Sequence, residues 1–295
     1  MNKVLVTGGT GLVGQYLKKI LPDATYVSSR DCDLRDQRQV YDLFEDIKPT
    51  SVIHLAAKVG GIKDNIAKPA EYFEDNILMN TNLLKVSYEY GVKQFIGVLS
   101  TCIYPDKVDN YPMKEEDMFL GPPTPTNFSY GYAKRSLAVQ IDAYNKQYGT
   151  EYSYLIPCNL YGEHDNFENE SKMHFITALL HKIKNAKDNQ IELLGTGKPL
   201  RQFMYAGDFA SIIKYIIEKN ITHSFNVAPD FNYSIDEMAK IAIKATKPEL
   251  TIKYSNPELD GQYRKDVDSS KLRSYIPDFE FTPLEEGLIK SYNNL

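Results

Sequence analysis

Short apolar runs alternate with stretches in which apolar residues recur every three or four positions, and this alternation organises the amino-terminal half of the chain. Residues 4–7 form an apolar run, followed after Gly8-Gly9-Thr10-Gly11 by a helical pattern over 12–20. Residues 24–28 predict a second strand. Residues 37–47 predict a helix with Val40, Leu43 and Phe44 on one face. Strands are predicted over 51–55, 94–99 and 151–157, and long helices over 68–90 and 130–148. Strands that alternate with helices across short connections imply a parallel sheet covered on both faces.

After about residue 160 the rhythm breaks. Residues 163–172 are polar and loop-like. Helices are predicted over 174–187, 209–219 and 235–245, and strands over 191–194 and 251–254. Gly195-Thr196-Gly197-Lys198-Pro199 is a turn, and the tail carries short strands and loops. The expected fold is α/β: a Rossmann-type doubly wound parallel sheet over 1–160, with a smaller carboxy-terminal α/β substrate lobe over 161–295. One or two segments of the lobe should return to the sheet.

Composition narrows the setting. The 295 residues are 42% hydrophobic and 25% charged, ordinary for a globular protein. A net charge of -5 argues against a general nucleic-acid binder. Cys32, Cys102 and Cys158 are few and far apart, which fits a reducing compartment. The amino terminus runs straight into a strand pattern, and no apolar stretch approaches the ~18 residues that span a bilayer. No signal peptide and no membrane contact are expected, and a cytoplasmic location is. No His/Cys/Asp cluster has metal spacing, so no metal is expected.

Candidate chemistry begins with Gly8, Gly11 and Gly14, a Gly-x-x-Gly-x-x-Gly pattern between first strand and first helix. Glycine admits positive φ and close approach of a phosphate, and the helix amino terminus offers N–H groups to a pyrophosphate. The second strand ends in Val27-Ser28-Ser29-Arg30. Two hydroxyls and a guanidinium suit a ribose 2′-phosphate, so NADP is expected over NAD. Asp31 and Asp33 keep NAD open.

Tyr130 and Lys134 stand four apart, on one face of the predicted helix. A phenol titrates near ~10, and a neighbouring ammonium should lower that value. A serine at a strand end, Ser100, would orient a carbonyl oxygen beside them. Such a set moves a proton on and off an alcohol oxygen while a hydride moves at the attached carbon.

These motifs resemble the extended short-chain dehydrogenase/reductase superfamily. Leu55-Ala56-Ala57-Lys58-Val59-Gly60-Gly61, Ser100-Thr101-Cys102-Ile103-Tyr104-Pro105 and Asn159-Leu160-Tyr161-Gly162-Glu163-His164-Asp165-Asn166-Phe167 narrow the resemblance to the GDP-L-fucose synthase family. It runs nearly end to end, through Asp260-Gly261-Gln262 and Ser270-Lys271-Leu272-Arg273. The resemblance implies NADPH-dependent reduction at C4 of a GDP-linked 4-keto sugar with epimerisation at C3 and C5. Ser100, Tyr130 and Lys134 match the family's reductase triad, and Cys102 and His174 its epimerase acid/base pair. Implied cofactor contacts are Gly8, Thr10, Gly11, Leu12, Val13, Arg30, Asp33, Leu34, Leu55, Ala56, Ala57, Lys58, Tyr130, Lys134, Pro157, Asn159 and Leu160. Implied substrate contacts are Ser100, Thr101, Cys102, Asn159, Asn166, His174, Lys182, Arg201 and Lys265. Departures are the absence of tryptophan, Leu194 where members often have an aromatic, and Thr10 where some carry a basic residue.

Three other readings stay open. One is a C4 reductase of a GDP-4-keto-heptose with epimerase activity reduced or absent. The Lys-, Asn- and Ile-rich composition fits an AT-rich bacterial genome and a capsule or lipopolysaccharide sugar. A dehydratase would carry Asp-Glu after Thr101, where Cys102-Ile103 stands. A non-catalytic NADP-sensing regulator is disfavoured because Tyr130 and Lys134 are both retained. Cys32, Cys158 and His54 should be packed, and His164 is either a loop ligand or structural. The helices at 68–90 and 130–148 are expected to pair across the two-fold axis of a homodimer.

Overall fold

The computed structural model describes residues 3–165, 167 and 173–295. Its elements run β1 (Val4–Thr7), α1 (Leu12–Ile20), β2 (Thr25–Val27), α2 (Gln37–Ile47), β3 (Ser51–His54), α3 (Ile62–Ala67), α4 (Pro69–Glu89), β4 (Gln94–Val98), α5 (Phe128–Tyr148), β5 (Ser153–Pro157) and β6 (Asn159–Tyr161). The second half adds α6 (Phe175–Lys184), β7 (Gln190–Leu194), β8 (Leu200–Arg201), β9 (Phe203–Tyr205), α7 (Ala206–Glu218), β10 (Phe225–Val227), β11 (Tyr233–Ser234), α8 (Ile235–Thr246), β12 (Thr251–Ser255), β13 (Arg264–Lys265), α9 (Ser270–Arg273) and α10 (Leu284–Asn293).

Local chemistry sets the helix ends. Asp36 caps α2 by accepting from Arg38 N at 2.9 Å, and Lys48 closes it in the left-handed region. Pro69 opens α4, and Gly149, at φ 69°, closes α5. Ser234 and Glu237 form a capping box on α8.

The central sheet has the order β10-β5-β4-β3-β1-β2, and every pairing in it is parallel. Its inner strands are buried on both faces through Leu5, Val52, Ile53, Phe95, Ile96, Leu155 and Ile156, while the edge strand β2 is partly exposed. α4 packs against α2 and α5, and α1 packs against α7. After β1 the chain builds outward to β2, then crosses back to β3 on the other side. The carboxyl ends of β1 and β3 therefore flank a crevice, which is where open α/β sheets take ligands.

The carboxy-terminal half shares this core, since β10 extends the sheet beside β5 and α7 covers α1. The remaining strands are short. β6 pairs with β9, β7 with β12, and β8 lies between β11 and β13. Several of these differ from the sequence expectation. The tail read as strands and loops contains α10, whose ten residues carry few apolar positions and a central Gly287. The helix expected over 174–187 stops at Lys184, and the one expected at 209 begins at Ala206.

Candidate active site

The glycine loop turns at Gly8, where φ is +74°. A Cβ there would lie 2.8 Å from the Ala56 backbone nitrogen, so only glycine lets the loops after β1 and β3 close on each other. Gly11 N donates to Gly8 O at 3.0 Å and Gly11 caps α1, with Thr10 and Gly11 exposed at its amino terminus. This open cradle of backbone N–H groups fits a dinucleotide pyrophosphate. Leu12 and Val13 begin α1 behind it. Gly9 N donates to Val27 O at 2.9 Å, which brings the end of β2 alongside.

There the side chains sort themselves. Asp31 accepts from Ser28 N and Ser28 Oγ, both at 2.7 Å. Asp33 is paired with Arg35 at 2.8 Å, Arg35 with Asp75 at 3.1 Å, and Lys58 with Asp75 at 2.8 Å and Glu71 at 2.6 Å. Arg30 is exposed and in no ion pair among the described residues. The carboxylates that kept NAD open are thus engaged, while the guanidinium suited to a phosphate stands open. Arg35, which couples Asp33 to the Lys58 side, was missed because its partner lies forty residues away on α4. Leu34 is buried, and Leu55, Ala56 and Ala57 line the loop after β3.

β4 and α5 carry the next group. Ser100 Oγ accepts from Cys102 N at 3.2 Å, and Ser100 eases ionisation of the Tyr130 phenol. Gly131 makes this approach possible, because a Cβ there would lie 2.6 Å from Cys102 O. Burial pushes the Tyr130 phenol well above its ordinary value, with Cys102 and Tyr72 adding and Ser100 opposing. Lys134 is buried, its Nζ donates to Val98 O at 2.8 Å, and burial lowers its pKa to about 8. The expectation that Lys134 lowers the phenol pKa is therefore corrected: the ammonium is turned to the β4 backbone, and desolvation dominates Tyr130. At neutral pH the phenol is protonated, the form that donates.

A buried polar chain backs this wall. Thr7 Oγ1 and His54 Nδ1 are 2.8 Å apart, His54 Nε2 and Asn80 Oδ1 3.0 Å, and Asn80 Nδ2 donates to Ala133 O at 3.2 Å. Burial, with Lys134 adding, lowers His54 to about 3, so its ring is neutral. Arg135 donates to Ile103 O and Gly121 O, both at 2.9 Å, and fixes the segment after Ser100. The sequence carried no local sign of these partners.

The opposite wall comes from the second half. Lys265 Nζ is 3.4 Å from Cys102 Sγ, and β13 sets Lys265 beside Arg201 of β8. Burial lowers the Arg201 pKa against an opposing pull from Cys102, Tyr111 and Asp260. Asn159 Nδ2 donates to Gln202 O at 2.8 Å; Pro157 ends β5 two residues earlier, and Leu160 continues β6. Thr101 is buried. Phe175 stacks on Phe203 at 5.9 Å, which seats the start of α6 against β9.

His174 caps α6, half exposed, with Nδ1 3.5 Å from Asp165 Oδ2. Hydrogen bonding to Asp165 raises its pKa, while burial opposes. No contact joins His174 to Cys102 among the described residues. Lys182 is exposed and donates to Glu192 O at 2.8 Å, so it supports β7. Asn166 lies outside the described residues. His164 sits 3.1 Å from Lys19 Nζ and tilts against Tyr16.

Known proteins resemble this chain along nearly its whole length. The NAD dependent epimerase/dehydratase family model matches residues 4–228. A GDP-L-fucose synthase of Dictyostelium discoideum is 39% identical over 98% of this chain and 93% of the relative. A GDP-L-fucose synthetase from Naegleria fowleri, solved bound to NADP, superposes with TM-score 0.90 at 34% identity, covering 99% of this chain and 92% of that one. A GDP-mannoheptose C4 reductase from Campylobacter jejuni, solved with NADP, superposes with TM-score 0.87 at 25% identity, covering 99% and 98%. The chain belongs to the NAD dependent epimerase/dehydratase family and, within it, to the GDP-L-fucose synthase family.

Proposed function

We propose that the protein inverts C3 and C5 of a GDP-linked 4-keto-6-deoxyhexose and then reduces C4 with NADPH. The observation that carries this reading is the convergence of Ser100, Tyr130 and Cys102, with Lys265 set against the thiol. NADPH, when bound, supplies the hydride that reaches C4. The glycine cradle binds its pyrophosphate, and Arg30 takes the 2′-phosphate that distinguishes it from NADH.

A ketone at C4 acidifies the protons on C3 and C5. Cys102 and His174 exchange those protons from the two walls, and Ser100 and Tyr130 hydrogen-bond the enolate oxygen while they do. Tyr130 then gives its proton to O4 as C4 becomes a carbinol carbon. Lys134, one turn further along α5, holds the end of β4 through Val98 O and so fixes the wall on which the phenol sits. Arg201 and Lys265 face the pyrophosphate and sugar of the substrate.

A second reading keeps the reduction and changes the sugar to a GDP-4-keto-heptose. The likeness to the Campylobacter jejuni GDP-mannoheptose C4 reductase favours it; the higher identity to the Dictyostelium GDP-L-fucose synthase favours the hexose. The reading includes a cytoplasmic homodimer joined through α4 and α5, where Leu78, Tyr88, Val139 and Tyr148 are exposed and Tyr88 stacks on Tyr148 at 4.2 Å. The test is NADPH oxidation with each ketosugar, with products identified by NMR. Turnover of the hexose to a C3/C5-inverted alcohol supports the proposal. Turnover of the heptose alone overturns it in favour of the second reading.

A further inference from the structure

The loop after β6 holds a carboxylate for which the reactions above name no task. Asp165 Oδ2 lies 3.5 Å from His174 Nδ1 and accepts a hydrogen bond from Thr177 on the first turn of α6. The carboxylate is itself buried, with a side-chain exposure of 7% against 51% for the imidazole. Asp165 N donates to Gly162 O at 3.2 Å. Glu163, two residues before it, accepts from Tyr16 of α1 and from Tyr205 of β9, the latter at 2.7 Å. The loop is therefore fastened to two elements of the core, and the carboxylate is carried on a fixed backbone.

We propose that Asp165 is the positioning residue of the second acid/base group: it holds a proton on His174 Nδ1 and leaves Nε2 to exchange protons with the sugar. The inference rests on the epimerase–reductase reading. A carboxylate on one imidazole nitrogen selects the tautomer and orients the ring. As imidazolium, His174 carries protons on both nitrogens. Transfer of the Nε2 proton to the enolate carbon leaves neutral imidazole with its remaining proton on Nδ1, facing Asp165. Solvent later returns the Nε2 proton.

Among the described residues, the other charges near the imidazole are engaged elsewhere. Glu163 is taken by two tyrosines, and His164 turns to Lys19. His181, Lys182 and Lys184 lie in the last turns of α6, at the far end from His174. From β8, Arg201 is the cation on that side, directed to Leu200 O at 2.7 Å. Asp165 supplies the raised His174 pKa.

Asp165→Asn keeps the shape and removes the charge. Two readouts decide. In the substrate-free protein, ¹⁵N NMR of the histidines, with His174 assigned by a His174→Gln variant, is expected to show the His174 titration moving to lower pH and its Nδ1–H preference lost. In deuterated water, label entry at the epimerised carbons is expected to fall about tenfold or more, with reduction of a pre-epimerised ketone within about twofold of the parent. Asp165→Glu is expected to restore much of the exchange, which guards against a folding defect. An unchanged His174 titration and tautomer, or exchange and reduction falling together in both variants, would overturn the proposal. If the parent itself admits no deuterium, the epimerase reading fails, and the NMR titration still decides the Asp165–His174 pairing.

Discussion

Ser100 stands two residues past the end of β4, a five-residue buried strand, and Tyr130 and Lys134 stand on α5, a 21-residue helix. Arg201, Lys265 and His174 stand on strands of two residues and at the first turn of a ten-residue helix. The first wall is positioned by continuous backbone, so its partners are carbonyls and buried amides: Val98 O for Lys134, Asn80 behind Ala133. The second wall is positioned by register between distant segments, Lys265 opposite Arg201 and Asn159 opposite Phe203. The proposed proton donor for reduction is thus held by a long helix packed beside a buried strand. The groups proposed to select and epimerise the sugar are held by pairings that change with few residues. One fold can keep its reduction and exchange its sugar, which fits a family neighbourhood containing both hexose and heptose proteins.

The sharpest way to separate the walls is to remove one hydroxyl. Tyr130→Phe is expected to lower NADPH oxidation about 10³-fold while leaving NADPH affinity unchanged, because only the proton donor is lost. Residual oxidation near the parent rate would reassign that role. Cys102→Ser should act in the opposite sense. Deuterium entry at C3 and C5 is expected to slow about 10²-fold, and reduction of a pre-epimerised ketone to remain near the parent rate. Equal losses in both assays would contradict a division of labour. Arg30→Ala is expected to raise KM for NADPH about tenfold and leave KM for NADH little changed, measured in steady-state assays with each cofactor.

The smallest effect compares the walls through pH. Lys134 titrates at about 8 in the fold and near ~10.4 in the unfolded chain. Between those values the unfolded chain binds the extra proton, so stability rises with pH, by up to about 1.4 kcal/mol per unit. His174 has the opposite sign: its raised pKa contributes stability that is full below ~6.5 and is lost as pH rises through the folded value. Denaturant unfolding of Lys134→Met between about pH 8 and 9.5 should lose the upward slope. Asp165→Asn should lose the decline that His174 contributes as pH rises above ~6.5. A slope unchanged in Lys134→Met would mean that the lysine is solvated.

How legible the molecule was in its sequence follows the same division. The Val4–Thr7, Leu12–Ile20 and Gln37–Ile47 elements were read at their observed bounds, because each has its own period and its own glycine or cap. α5 was read two residues short, since the short helical turn Pro125–Asn127 leads into it at Phe128. β6, β8, β9, β11 and β13 were not legible: two or three residues carry no period, and their partners lie tens of residues away. The Tyr130–Lys134 spacing identified the helix face. It could not reveal that Lys134 turns to Val98 and that burial raises the phenol. Cys102 and His174 were visible as motif residues, while Asp165 became visible as a partner only once α6 was laid beside the β6 loop.

The central claim is that one cleft holds two separable proton-transfer systems. It is tested most directly by Tyr130→Phe incubated with GDP-4-keto-6-deoxymannose and NADPH in deuterated water, with the ketosugar recovered for NMR and mass spectrometry. The expected result is a ketone deuterated at C3 and C5, more slowly than in the parent because Ser100 alone then holds the enolate oxygen, with almost no NADPH consumed. A recovered ketone without deuterium, or an alcohol formed at the parent rate, would contradict it.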